Sequence, residues 1–225
     1  MNIALIGYGK MGHMLEQVAL QRGHNILCRV DARPAGPDVF PSIAEAADTL
    51  RRADVAVEFT TPATAPDNIR ALWDLGLPVV CGTTGWDTAP LIDHARQTGH
   101  PLIWTSNYSL GVNILFALNK RLAELMRPYP QYTPSITETH HIHKLDAPSG
   151  TAKTLALQIG TCPIRSVREG EVPGIHTVTW DSPVDTLSLT HSAKSREGFA
   201  LGAILAAEWL PAHRGFHTMN EVLNL

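Results

Sequence analysis

The densest chemistry in the chain lies in one run, Glu138-Thr139-His140-His141-Ile142-His143-Lys144-Leu145-Asp146-Ala147-Pro148-Ser149-Gly150-Thr151-Ala152. Ser149-Gly150-Thr151 reads as the start of a helix, where N–H groups and hydroxyls can hold a carboxylate. Lys144 adds a positive charge, and a histidine can release a proton near neutral pH. The pattern predicts an anion-binding site with an acid beside it. A metal centre on His140, His141 and His143 is the competing reading. Adjacent strand residues point to opposite faces, so His140 and His141 should not share a ligand sphere, and an ammonium repels a cation. No metal is therefore expected. A solvated polar loop would leave the anion-ready helix start unexplained.

A second constellation opens the chain. Gly7-Tyr8-Gly9-Lys10-Met11-Gly12 is a G-x-G-x-x-G match between an apolar run and a helical pattern. Gly7 permits a tight turn, Gly9 leaves bare backbone for a pyrophosphate, and Gly12 lets helix and strand pack closely. The helix start adds N–H groups and partial positive charge. Asp31 follows 19 residues after Gly12, where the fingerprint expects a carboxylate for the adenosine ribose. That favours NADH, whereas Arg33 is placed to hold the 2′-phosphate of NADPH, so either or both cofactors remain open. The alternative is that Asp31 caps a turn and Arg33 is solvated. Phe59-Thr60-Thr61-Pro62 and Gly82-Thr83-Thr84-Gly85 each follow a predicted strand. Such loops can line a nicotinamide pocket, with helix capping by threonine as the plainer reading.

These residues need elements to hold them. Apolar runs at 2–6, 25–30, 55–59, 78–81 and 102–104 alternate with helical patterns, which implies parallel βαβ units in a doubly wound sheet. Ser42 with Glu45 makes a capping-box pattern. After Asn107 the character changes. Residues 113–126 form one long helical pattern, with Leu115, Leu118, Leu122 and Leu125 expected on one face, before Pro128, Pro130 and Pro134. Residues 135–139, 176–181 and 184–192 read as strands of a mixed sheet open on one face. Residues 196–210 return to helix, with Ala200, Gly202, Ala203, Ala206 and Ala207 allowing close approach. The expected division is residues 1–108 with 197–225 for a dinucleotide, and residues 109–196 for substrate and oligomerisation. The stretch from Asp31 to Ser42 is short enough to lack a peripheral strand or helix.

Composition closes off other classes. The chain of 225 residues has a net charge of −3 and 17% charged residues, so no basic excess points to nucleic acid or an anionic membrane. No apolar run approaches the roughly 20 residues of a membrane span. No export signal is legible at the N-terminus, and the three cysteines are widely spaced, so a cytoplasmic protein with free thiols is expected.

The unbroken pattern E-x-H-H-x-x-K-x-D-x-P-S-G-T-A over residues 138–152 resembles the dihydrodipicolinate reductase family. Further matches are Gly7–Gly12, Phe59-Thr60, residues 82–85, residues 106–113 and Ser195-Arg196 with Phe199-Ala200 and Gly202-Ala203. The resemblance implies an NAD(P)H-dependent reductase of a cyclic dicarboxylate in lysine and diaminopimelate biosynthesis, often a homotetramer. It implies His140 as the catalytic acid and Lys144 as a second proton donor. His141, Lys144, Ser149, Gly150 and Thr151 would bind the dicarboxylate. Asp31, Gly82, Thr83 and Thr84 would join the Tyr8, Lys10 and Met11 loop at the cofactor, and Thr105, Ser106, Asn107 and Tyr108 would lie near nicotinamide. The glycine loop is shorter than in many members, and the order Asp31-Ala32-Arg33 departs from an adjacent acidic–basic pair, so NADH versus NADPH stays open. Another two-domain amino-acid-type dehydrogenase and an NADH-sensing module are the rival readings.

Overall fold

A computed structural model describes residues 1–34, 36 and 38–225. Contacts divide the chain into two units, Met1–Ser109 with Phe199–Leu225, and Leu110–Gly198.

The first unit alternates strand and helix: β1 (Asn2–Ile6), α1 (Lys10–Gln21), β2 (Asn25–Val30), β3 (Val39–Phe40), α2 (Ile43–Leu50), β4 (Val55–Glu58), α3 (Ala65–Asp74), β5 (Val79–Cys81), α4 (Ala89–Thr98) and β6 (Leu102–Trp104). The strands form a parallel sheet with β11 (Phe216–His217) at one edge, in the order β11-β6-β5-β4-β1-β2-β3. The strands are near-continuous apolar runs because both faces are covered. Ile3, Leu5, Val55 and Val57 pack on one side with Leu15 and Ile204, while Ala4, Ile6, Ala56 and Val79 pack on the other with Ile69 and Leu72. The chain winds outward from β1 through β2 and β3, then crosses to β4 on the other side of β1. That reversal opens a crevice beyond the carboxyl ends of β1 and β4, where doubly wound sheets take their ligands. Ser42 caps α2 by accepting from the Glu45 N–H at 3.2 Å, the first half of the capping box, while the Glu45 carboxylate meets the Ser42 hydroxyl at 3.3 Å.

The second unit holds α5 (Leu110–Met126), β7 (Thr133–His140), α6 (Gly150–Ile159), β8 (Ile164–Arg168), β9 (Ile175–Asp181) and β10 (Thr186–Ser192). Its sheet runs β10-β9-β7-β8, antiparallel except for the parallel β7–β8 pair that α6 bridges. One face is apolar at one end: Ile136, Val178 and Trp180 pack with Leu115 and Leu155 of the two helices. The same face turns polar toward the end of β7, with Glu138, His140 and His176. The other face presents hydroxyls such as Thr137, Thr177 and Thr190, the last two 3.1 Å apart. α7 (Glu197–Trp209) and α8 (Met219–Leu223) end the chain.

A doubly wound parallel sheet with a smaller mixed-sheet unit is thus present, with local corrections. Leu118 and Leu125 are half exposed; α5 instead buries Val112, Asn113, Leu115 and Asn119, a face displaced around the helix. β7 runs through Pro134, which is tolerated because β8 pairs only from Ile136 onward and no ladder donor is lost there. The 184–192 strand begins at Thr186, because Ser182 and Asp185 close a turn first. β8, β11 and α8 carry too few apolar residues for periodicity to reveal them. Between Asp31 and Ser42 the described chain contains only the two-residue β3, and Ala35 and Pro37 lie outside the described residues.

Candidate active site

The glycine loop follows β1 directly. Gly7 has φ +92°, and a Cβ there would run into the Phe59 carbonyl. A Cβ on Gly12 would strike the Gly7 carbonyl, whereas one on Gly9 would meet nothing within 4 Å. Gly9 is the N-cap of α1 and carries no side-chain cap, so the helix start is bare backbone beside open space. That cradle fits a dinucleotide pyrophosphate. Lys10 and Met11 begin α1. Tyr8 donates its hydroxyl to Glu16, which also pairs with Arg29, and Arg29 lies over the Tyr8 ring. Asp31 accepts from the Tyr8 N–H at 2.8 Å and the Arg33 N–H at 2.9 Å. Its carboxylate therefore ties the loop to the end of β2 and closes the turn that exposes Arg33.

The loops after β4 and β5 are joined. The Thr60 N–H donates to Thr83 Oγ1 at 2.8 Å, and the Thr60 hydroxyl donates to Glu58. Glu58 is fully buried and also accepts from the Cys81 thiol at 3.0 Å. Neither Thr60 nor Thr83 caps a helix; α3 and α4 begin after Thr64 and Thr88. A Cβ on Gly82 would enter the Phe59 ring. The Thr83 carbonyl accepts from both Trp86 and Trp104, and Thr84 is exposed beside it. The Tyr108 hydroxyl donates to the Cys81 carbonyl at 2.8 Å, while Thr105 and Asn107 bond one another in the turn around exposed Ser106. Burial pushes the Cys28 thiol up to about 11 and Cys81 higher still, which keeps both from acting as thiolates.

In the second unit, strand alternation puts Ile136, Glu138 and His140 on one face of β7, and His176 beside them on β9. Glu138 Oε1 accepts from the Ser149 N–H at 3.0 Å, the Ser166 hydroxyl at 2.8 Å and the Arg168 guanidinium at 3.4 Å. Burial would raise its pKa, but the hydrogen bonds from Ser149 and Ser166 outweigh it and hold the carboxyl below its usual range. Ser149 caps α6, accepting from the Ala152 N–H at 3.3 Å, and lies 3.1 Å from His176 Nε2. Gly150 and Thr151 form the first turn of α6, and a Cβ on Gly150 would point into open space. Burial lowers the His140 pKa, and Lys144 and Arg168 push the same way against Glu138. Burial lowers His176 to about 4.

The loop between His140 and Ser149 is clamped by Arg168, which donates to the carbonyls of Lys144 at 3.2 Å and Asp146 at 2.5 Å. The Lys144 ammonium donates to Asp146 at 2.6 Å. His141 is half-buried there, and His143 is exposed with Glu171 3.3 Å away. His140 thus parts from His141 and His143, whose ring centroids stay 6.1 Å apart; among the described residues the grouped set is Glu138, His140 and His176, whose ligand-type atoms all lie within 4.8 Å of one another. The guanidinium on Glu138 and the nearby ammonium disfavour a cation there. Arg168, His176 and Glu58 escaped the sequence reading. A histidine alternating with Val178 and Trp180 was the available signal for His176.

Comparison with known proteins shows the family. The family models for the dihydrodipicolinate reductase N-terminus and C-terminus match residues 1–108 and 111–223. A 4-hydroxy-tetrahydrodipicolinate reductase of Christiangramia forsetii is 41% identical, with all of this chain and 98% of that protein covered. One from Akkermansia muciniphila is 32% identical over 96% of this chain and 95% of its own. A dipicolinate-bound dihydrodipicolinate reductase from Paenisporosarcina sp. TG-14 shares the fold, with a TM-score of 0.81, 22% identity and 98% of each chain covered. The rival dehydrogenase and sensor readings give way: the chain belongs to the dihydrodipicolinate reductase family and is an NAD(P)H-dependent oxidoreductase of lysine biosynthesis.

Proposed function

We propose that the chain reduces 4-hydroxy-tetrahydrodipicolinate to tetrahydrodipicolinate, with the first unit holding the nucleotide and the second the dicarboxylate. The observation that carries this reading is Ser149 at the start of α6, joined through Glu138 and His176 to the buried His140 imidazole, with the Lys144 charge acting on both rings. Ser149, Gly150 and Thr151 bind one carboxylate through the helix start, and Lys144 and His141 hold the dianion in register. Loss of the 4-hydroxyl as water leaves a conjugated imine. NAD(P)H, when held by the glycine loop, would supply the hydride that ring C4 accepts. Charge then spreads toward the ring nitrogen, and a proton from His140 or Lys144 neutralises it. His140 is held below its ordinary pKa by burial, so it gains its proton as the dianion arrives and supplies opposite charge.

Gly7, Gly9, Gly12, Tyr8, Lys10 and Met11 form the pyrophosphate cradle, and Asp31 faces the adenosine ribose. Phe59, Thr60, Gly82, Thr83 and Thr84, with Thr105, Ser106, Asn107 and Tyr108, line the nicotinamide side. Asp31 favours NADH and exposed Arg33 admits NADPH, so both serve as cofactor. Three free cysteines support a cytoplasmic setting. No described helix is long and apolar enough to cross a membrane. The uncovered sheet face of the second unit supports a homotetramer. The test is NADH and NADPH oxidation, with substrate formed in situ by a synthase from pyruvate and aspartate semialdehyde. Oxidation of both nucleotides that depends on both precursors is the expected result; none with either would refute the activity.

A further inference from the structure

The two oxygens of Glu138 live in different surroundings. Oε1 faces three donors: the Ser149 N–H, the Ser166 hydroxyl and the Arg168 guanidinium. Oε2 is buried and makes no hydrogen bond of its own. Two imidazole nitrogens lie close to it without reaching hydrogen-bond geometry, His140 Nδ1 at 3.4 Å and His176 Nε2 at 3.7 Å, and His140 Nδ1 is likewise buried with no hydrogen-bond partner. In a buried setting, a ring lone pair close to a carboxylate oxygen is repelled, and an N–H is attracted. We propose that Glu138 is a positioning residue that fixes both tautomers, with the proton on Nδ1 of His140 and on Nε2 of His176.

Two consequences follow. Nε2 becomes the proton-exchanging nitrogen of His140. It lies 3.2 Å from where a Cβ on Gly174 would sit, so glycine at that position, with φ +153°, keeps this side of the ring uncrowded. The second concerns Ser149, the cap of α6. A serine hydroxyl has two lone pairs and one hydrogen. The Ala152 N–H at 3.3 Å occupies one lone pair, and His176 Nε2–H at 3.1 Å occupies the other. The Ser149 O–H is then left to donate, and the acceptor beside it is Glu138, whose pKa the Ser149 side chain helps to lower, so His176 sets the direction of the hydroxyl within this buried cluster.

Histidine-labelled full-length protein, followed by two-bond ¹H–¹⁵N correlation spectra at pH 8, reads the tautomers directly. Signals are assigned with His140→Gln and His176→Gln. The expected result is Nδ1–H at His140 and Nε2–H at His176. In Glu138→Gln, the amide oxygen must take the place of Oε1 among its three donors. The amide NH₂ then faces both rings and inverts both tautomers, with kcat at least tenfold lower and nucleotide KM unchanged. The opposite tautomer at either histidine in the wild-type protein overturns the proposal, as does a folded Glu138→Gln with both tautomers unaltered. Should that variant not fold, the wild-type spectrum decides alone. Tautomers as expected without nucleotide oxidation would strike the proposed function and leave this assignment standing.

Discussion

Lys144 has two tasks in the proposed reaction, and a single substitution separates them from everything around it. Its ammonium is held by Asp146 at 2.6 Å, while Arg168 fixes the backbone carbonyl of the same residue. Lys144→Ala leaves that carbonyl contact in place and deletes both the charge that holds a carboxylate and one proton source. Turnover should fall more than a hundredfold, about 2.7 kcal/mol or more of transition-state stabilisation. Steady-state nucleotide oxidation measures it, and near-native rates would remove Lys144 from the mechanism. His140→Gln is expected to act differently. The imidazole is buried in the second unit, whereas the glycine loop belongs to the first. Reduction should slow by roughly 10²-fold, the lower end of general acid catalysis, while NADH affinity in a fluorescence titration stays unchanged. A parallel loss of NADH affinity would mark a structural histidine instead.

At the scale of elements, the inner face of β7 and β9 joins folding to pH. His176 is shifted by burial, then by His140, His191 and Lys144, to about 4 from an ordinary 6.5, while Glu138 pulls the other way. Its folded pKa is depressed, so the unfolded chain takes up a proton that the folded one refuses. Stability is complete above pH 6.5 and is lost as the pH falls toward 4, by on the order of 3 kcal/mol for this residue. His140 and His191, also lowered by burial, act in the same direction. Urea midpoints should therefore drop between pH 7.5 and 5, with a shallower drop in His176→Gln; a flat profile in the wild-type protein would contradict the burial argument. The sequence made parts of this face readable and hid others. Ile136, Glu138 and His140 alternate within a strand, and Ser149 announces a helix start, so β7 and α6 could be read from local pattern. Arg168 could not, because β8 is a short edge strand with little apolar content, and its role depends on a carbonyl 24 residues away. The same limit applies to α5: leucine spacing alone does not say which side meets Ile136 and Val178, and Leu118 and Leu125 lie outside the buried face.

At the scale of the whole molecule, the second unit has more surface than one chain can bury. Helices α5 and α6 cover one face of its sheet, and the other carries cross-strand pairs such as Thr137 with Thr177, and Thr177 with Thr190. β-branched hydroxyl residues in register form a smooth, pleated surface that suits packing against an identical surface. Leu118, Leu125 and Tyr129, about half exposed, and Val184, 84% exposed, add apolar area on the same unit. The proposed homotetramer would assemble through this unit, and four 24.5 kDa chains should scatter light as a particle of about 98 kDa. Thr177→Arg introduces a charge at the centre of the hydroxyl face while touching none of the residues proposed for catalysis. It should lower the measured mass and leave the far-ultraviolet spectrum intact. A 24.5 kDa particle from the wild-type protein at micromolar concentration would refute the assembly. An unchanged mass in the folded variant would move the interface to the exposed leucines of α5.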